Sequence, residues 1–147
     1  MHLDQVRKRF TALTSTVYLL NAGACETELR ETENRLSLQF PAPVRTFWTF
    51  MNGLSVDDPP FEVLPLSKFS VDAGALVFAR CNAEVRVAFD TRVANEAGEW
   101  SVINADTGYR ITYTMASFWS VHMWTWILKR RPIWFDVHSI DSALNRR

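Results

Sequence analysis

The chain has 147 residues, which suits one domain, and 48% of them are hydrophobic, normal for a protein with a packed core. Sixteen basic and sixteen acidic residues cancel, which argues against nucleic acid as a main partner. Two cysteines, Cys25 and Cys81, stand outside any C-x-x-C spacing, so the expectation is two buried free thiols in a reducing, cytoplasmic setting.

Leu3, Val6, Phe10, Leu13, Val17 and Leu20 recur at alternating steps of three and four. That spacing predicts one helix over the first twenty residues, its end weakened by the run Thr14, Ser15, Thr16. The opening MHLDQVRKRF lacks the apolar stretch of a secretory signal. Asn21, Ala22 and Gly23 break the helix. A second helix is expected from Thr27, as its N-cap, to Arg35 or Leu36, with Glu26, Glu28 and Glu31 at its positive end. Pro43 suits the first turn of a third helix. Its buried face is Val44, Phe47, Trp48 and Met51, and Asn52 and Gly53 stop it, the glycine in a left-handed conformation.

Residues 55–60 read as a loop with a Pro-Pro pair. Beyond them the period falls to two. A short strand is predicted over 61–66. Strands 75–80 and 85–91 form a hairpin closing at Asn82 and Ala83, and a turn follows at 95–98. A second hairpin pairs 100–104 with 109–115 around Asp106, Thr107 and Gly108. Ser117 is the expected cap of a largely buried last helix from Phe118 to about Arg130. Lys129, Arg130 and Arg131 sit at its negative end, and Pro132 stops it. Residues 133–147 form a tail without assignable pattern. The uncharged run 111–128 has the borderline length of a membrane span, yet its strand-like start and its Ser117, Ser120 and His122 favour a strand and a buried helix. The order therefore predicts an α+β domain: an antiparallel sheet of about five or six strands, with N-terminal helices and a C-terminal helix packed on it.

Little in the residues carries chemistry. His2, His122, His138, Cys25 and Cys81 are scattered, without paired ligand spacing, so no metal is expected. His122, inside the aromatic helix, reads as a core histidine, and Cys81 as a structural thiol. There is no G-x-S-x-G elbow and no glycine loop for a phosphate. No catalytic residue and no cofactor follow from the residues, and an enzyme is not expected. Eight of nineteen aromatics fall within residues 109–135, and their spacing makes them core more than a stacking platform. Trp134 and Phe135, beyond the helix stop, are expected to be the most exposed of these and suit an interface.

Charge is unevenly spread. Residues 36–106 hold nine acids and five bases; residues 107–147 hold six bases and two acids. Two ordinarily solvated surfaces are the plain reading, and steering of a charged protein partner is the functional one. Asp57, Asp58, Glu62 and Asp72 are the acids singled out as a contact region.

The segment ELRETENRLSLQFPAPVRTFWTFMNG resembles the SUKH superfamily, which includes the fungal Smi and Knr regulators and many bacterial immunity proteins. Leu29, Glu33, Leu36, Phe40, Pro41, Phe47, Trp48, Asn52 and Gly53 occupy the family's places at matching spacing. Thr32 stands where an apolar residue is usual. The stretches 76–80 and 85–90 look like the family's central strands, and Ala116, Ser117 and Phe118 like the start of its closing helix. The likeness covers about residues 26–128 of a single domain, with 1–23 as an extra N-terminal helix and 133–147 as a tail. It implies an immunity protein that binds and neutralises a cognate toxin by protein contact. The alternative is a regulatory or scaffolding module of the Smi/Knr type. The expected partner is thus a protein, not nucleic acid or membrane, and the expected assembly a monomer or weak homodimer.

Overall fold

Eight strands form one antiparallel sheet in a computed structural model that describes residues 2–137. His138 and the rest of the tail lie outside the described residues. The strands are β1 (Tyr18–Leu20), β2 (Leu54–Val56), β3 (Phe61–Val63), β4 (Ser70–Asp72), β5 (Ala75–Cys81), β6 (Val85–Ala94), β7 (Trp100–Asn104) and β8 (Arg110–Thr112). Their spatial order is β1-β2-β3-β5-β6-β7-β8, and β4 also pairs with β5. Val63 pairs with Ala79 and Ser70 with Val77, so β3 and β4 share one edge of β5. The 3₁₀ turn Leu66–Lys68 lies between them in the chain. The sheet is larger than the expected five or six strands. The additions, β1, β2 and β4, are each three residues long and lie in stretches that read locally as helix or loop.

Register sorts the residues into two faces. Leu20, Leu54, Val63, Ala79 and Val87 form one row across five strands, and the neighbouring row on that face is Tyr18, Val56, Phe61, Cys81 and Val85. The helices cover this face. The reverse face carries Leu19, Ser55, Glu62, Arg80 and Arg86 in the row between. The alternation is that of a sheet with one dry side and one wet side.

Three helices precede or interleave with the first strands: α1 (Leu3–Thr11), α2 (Glu26–Leu36) and α3 (Ala42–Phe50). The predicted twenty-residue helix therefore stops at Thr11. Thr14, Thr16 and Val17 are β-branched, and β2 offers residues 18–20 a backbone partner that a helix would forgo. Val6 and Phe10 remain the buried face of α1, whereas Val17 is exposed. At α2 the N-cap is Cys25 rather than Thr27, and its N–H donates to Glu28 Oε1 at 3.2 Å. The buried face of α3 is as expected, Val44, Phe47 and Trp48 followed by Met51. The helix ends on Met51 in extended conformation, and Gly53 takes its positive φ of 95° two residues further on. The three-residue loop Asn82–Glu84 closes the β5–β6 hairpin, with Cys81 opposite Val85 and positive φ of 53° and 63° at Asn82 and Ala83.

The last helical stretch begins earlier than Ser117. Thr114 is its cap, and its Oγ1 accepts from the Ser117 N–H at 3.1 Å. It runs through α4 (Met115–Ser117), widens into a π-helical segment (Phe118–His122) and continues as α5 (Met123–Lys129). Arg130 then turns left-handed with φ of 53°. No described helix is long and apolar enough to cross a membrane.

Trp48 stands at the centre of the core. It is fully buried, and the rings of Phe47, Phe69, Phe78 and Phe89 lie 4.9 to 6.1 Å away. Its Nε1–H donates to the Leu64 carbonyl at 2.9 Å. Phe118 closes the same cluster from the last helix, 5.5 Å from Phe78 and 6.3 Å from Phe61.

Candidate functional site

The residues of the recognisable segment are engaged in holding backbone. Glu33 Oε2 accepts the Phe40 N–H at 2.7 Å, which fixes the step between α2 and α3. The other oxygen of Glu33 accepts from Arg45, which also donates to Glu26. Burial pulls the Arg45 guanidinium down, but these two carboxylates outweigh it and hold it above its ordinary value. Asn52 Oδ1 accepts the Leu66 N–H at 2.9 Å, and its carbonyl accepts from Asn21 Nδ2. Arg35 donates to the Leu66 and Phe69 carbonyls, both at 3.0 Å. Thr32, at a place where the resembling family is apolar, is buried with its hydroxyl donating to the Glu28 carbonyl. No buried side-chain polar atom among the described residues lacks a partner. Hydrogen-bond networks of this kind hold the backbone elements rigidly together.

The reactive residue types are apart from one another. Cys81 is buried beneath the sheet, and desolvation pushes its thiol up to about 12. Cys25 is exposed, which corrects the expectation of two buried thiols; as the N-cap of a surface helix it sits outside the core. Native protein treated with a thiol reagent is therefore expected to modify one cysteine per chain quickly, and Cys25→Ser should abolish that fast phase. Two fast thiols would contradict the burial of Cys81. His122 is half-buried, with Nδ1 3.2 Å from the Ser117 carbonyl. No group of three or more metal-ligating side chains gathers among the described residues. A cleft of about 610 Å³ opens between α1 and α3, lined by Leu3, Asp4, Arg45, Thr49, Phe50 and Trp119 among others. Neither cysteine nor His122 reaches it.

The residues singled out for partner contact fall in separate places. Asp57 and Asp58 occupy the turn between β2 and β3, both exposed. Asp58 accepts from Arg130 Nη1 at 2.8 Å, and that hydrogen bond holds its carboxyl below the usual carboxylate range. Glu62 is half-buried on the wet face, opposite Arg80. Asp72 lies opposite Ala75, at the other end of β5, with its carboxylate 3.4 Å from Arg86. Two of the four acids, Asp58 and Asp72, are thus already within ion-pair distance of an arginine, which reduces the net field they offer a basic partner. Trp134 and Phe135 are half-buried, less open than Tyr113 at 59% exposure. The chain beyond Pro132 folds back. Trp134 packs edge-on against Trp126 at 4.9 Å, and its carbonyl accepts from Asn104 Nδ2 at 3.1 Å.

The meeting of the two ends of the chain has no signal in the local sequence. Phe10 of α1 lies 4.7 Å from the Trp124 ring of α5, and the Arg9 guanidinium stands 4.7 Å over the same indole. The basic runs Arg7-Lys8-Arg9 and Lys129-Arg130-Arg131 are thereby carried by neighbouring elements. No protein-family model matches the chain, and no curated protein matches it.

Proposed function

We propose that this protein is an immunity-type binding protein, a rigid body that grips a cognate toxin or effector domain and blocks it, with no reaction performed inside. One observation carries the reading. The residues that make up the resemblance to SUKH proteins, Glu33, Phe40, Trp48 and Asn52 among them, serve the fold through hydrogen bonds to backbone and through core packing. What remains for function is the outer surface, and a surface recognises macromolecules. The scattered cysteines and the bonded His122 support the same reading, because catalysis needs a nucleophile or base within reach of a partner group.

The test is co-expression with the toxic domain encoded beside this protein's gene. Co-purification of the two, and protection of cells that express the toxin, are the expected results. No complex and no protection would dismiss the proposal. Recovery of several unrelated partners without an adjacent toxin would instead favour the regulatory module of the Smi/Knr type.

A further inference from the structure

We infer that the groove between α1 and α5 receives an acidic, amphipathic segment of a partner protein. Its floor is mixed, with Val121, Trp124 and Leu128 apolar and Ser120 and Thr125 polar. Val121 and Leu128, seven residues apart and so on one side of the helical stretch, are 55% and 44% exposed, and Trp124 lies between them.

Its rim is basic. Arg9 of α1 and Lys129 of α5 both line it. Arg9 is held at the lip by its position over the Trp124 ring. Neither base has an ion-pair partner among the described residues, whereas Arg45, Arg86, Arg92 and Arg130 each meet a carboxylate. Lys8 and Arg131, both exposed and also without a paired acid, extend the basic border. Among the described residues these bases meet no carboxylate, and an acidic partner segment would complement them.

Size selects the kind of occupant. The groove encloses about 160 Å³, below the roughly 300 Å³ at which small-molecule pockets begin. It has room for a single large apolar side chain as an anchor. A nucleic-acid backbone would satisfy Arg9 and Lys129 but leave Val121 and Leu128 facing water. A segment with one leucine-like anchor flanked by carboxylates uses both floor and rim, which is the helix-in-groove mode of recognition. This inference relies on the toxin-binding proposal only for who supplies the segment; it places the contact on the basic side, away from Asp57 and Glu62.

The experiment titrates a dye-labelled peptide of about sixteen residues, long enough to form a helix, into the full chain. The peptide carries a single central Leu flanked by Glu, in an otherwise Ala-rich helical sequence. Companion peptides replace every Glu by Gln or the Leu by Ala, and phosphatidylglycerol vesicles form the last arm. Saturable binding is expected for the Glu/Leu peptide alone, weakening as salt rises. The Arg9→Glu/Lys129→Glu and Leu128→Ser variants should each lose at least about tenfold in affinity, and Leu128→Ser, at an exposed position, should retain the wild-type denaturation midpoint. Asp57→Ala/Glu62→Ala should bind as wild type does. Absence of peptide binding, equal binding of the Gln peptide, or undiminished binding by Arg9→Glu/Lys129→Glu would overturn the inference. Tighter capture by the vesicles, through the same residues, would overturn it in favour of a membrane surface. A neighbouring-gene toxin that binds wild type and Arg9→Glu/Lys129→Glu equally would sink the groove and spare the proposed function. A groove that takes the peptide while that toxin fails to bind would do the reverse.

Discussion

Replacing Gly23 by alanine is expected to lower folding stability by at least about 3 kcal/mol, read from the midpoint of urea denaturation. A Cβ at this position would lie 1.8 Å from the Thr49 carbonyl oxygen and 2.8 Å from its carbon. Both are backbone atoms of α3 and cannot swing aside. The approach is close because residues 22–24 cross the end of that helix. The Ala24 N–H donates to the Trp48 carbonyl at 2.8 Å, and the Asn52 N–H to the Ala22 carbonyl at 3.0 Å. Carbonyls in the last turn of a helix have no partner within it, so the crossing segment supplies one. Moving that segment outward to admit a methyl group would stretch both bonds, each worth about 1 kcal/mol. Gly98→Ala is the control. Nothing lies within 4 Å of a Cβ there, and the cost should be about 1 kcal/mol, from the positive φ of 78° alone. Equal midpoints for the two variants would mean that the crossing is loose.

Trp48→Ala should cost about 3–5 kcal/mol, through lost transfer energy and the cavity left among four phenylalanines. Trp48→Phe separates volume from hydrogen bonding. It keeps most of the ring but leaves the buried Leu64 carbonyl without the indole donor, at an expected cost of about 1–3 kcal/mol. Thermal and urea unfolding of the pair would measure both terms. A phenylalanine variant as unstable as the alanine one would shift the weight from packing to that single bond. Wild-type stability in both would remove Trp48 from the centre of the core.

Signals confined to a few neighbouring residues were legible in the sequence. Glu28 and Glu31 near the start of α2, Pro43 in the first turn of α3, and the spacing of Val44, Phe47, Trp48 and Met51 mark two helices without outside help. The Asn82–Ala83 turn marks a hairpin in the same way. The α+β class follows from these. The short strands were not legible, because pairing creates them. Tyr18 becomes a strand residue by lying opposite Val56, and Ser70 by lying opposite Val77. A three-residue strand has too few alternations to announce itself. Trp134 and Phe135 were misplaced because Pro132 reads as an end, whereas buried Ile133 and the Asn104 hydrogen bond bring the chain back. The spacing of Glu33 and Asn52 marks them as special. Their partners, the Phe40 and Leu66 N–H groups, belong to backbone and leave no trace in residue type. Arg9 and Lys129 are the extreme case: 120 positions apart, they border one groove only after the whole body has folded.

The contact between α1 and the last helical stretch has a consequence for the order of events during synthesis. Phe10 rests on Trp124, Trp126 donates to the Pro60 carbonyl, and Arg130 reaches Asp58. On the ribosome, Phe10 and the β2–β3 turn must wait for these partners until residues beyond Met123 leave the exit tunnel. Until then the rings that the last helical stretch covers stand open on the nascent chain, and chaperones bind such surface. A message truncated before that codon would release a product that adheres to its neighbours, since the helix that covers its aromatic rings would be missing.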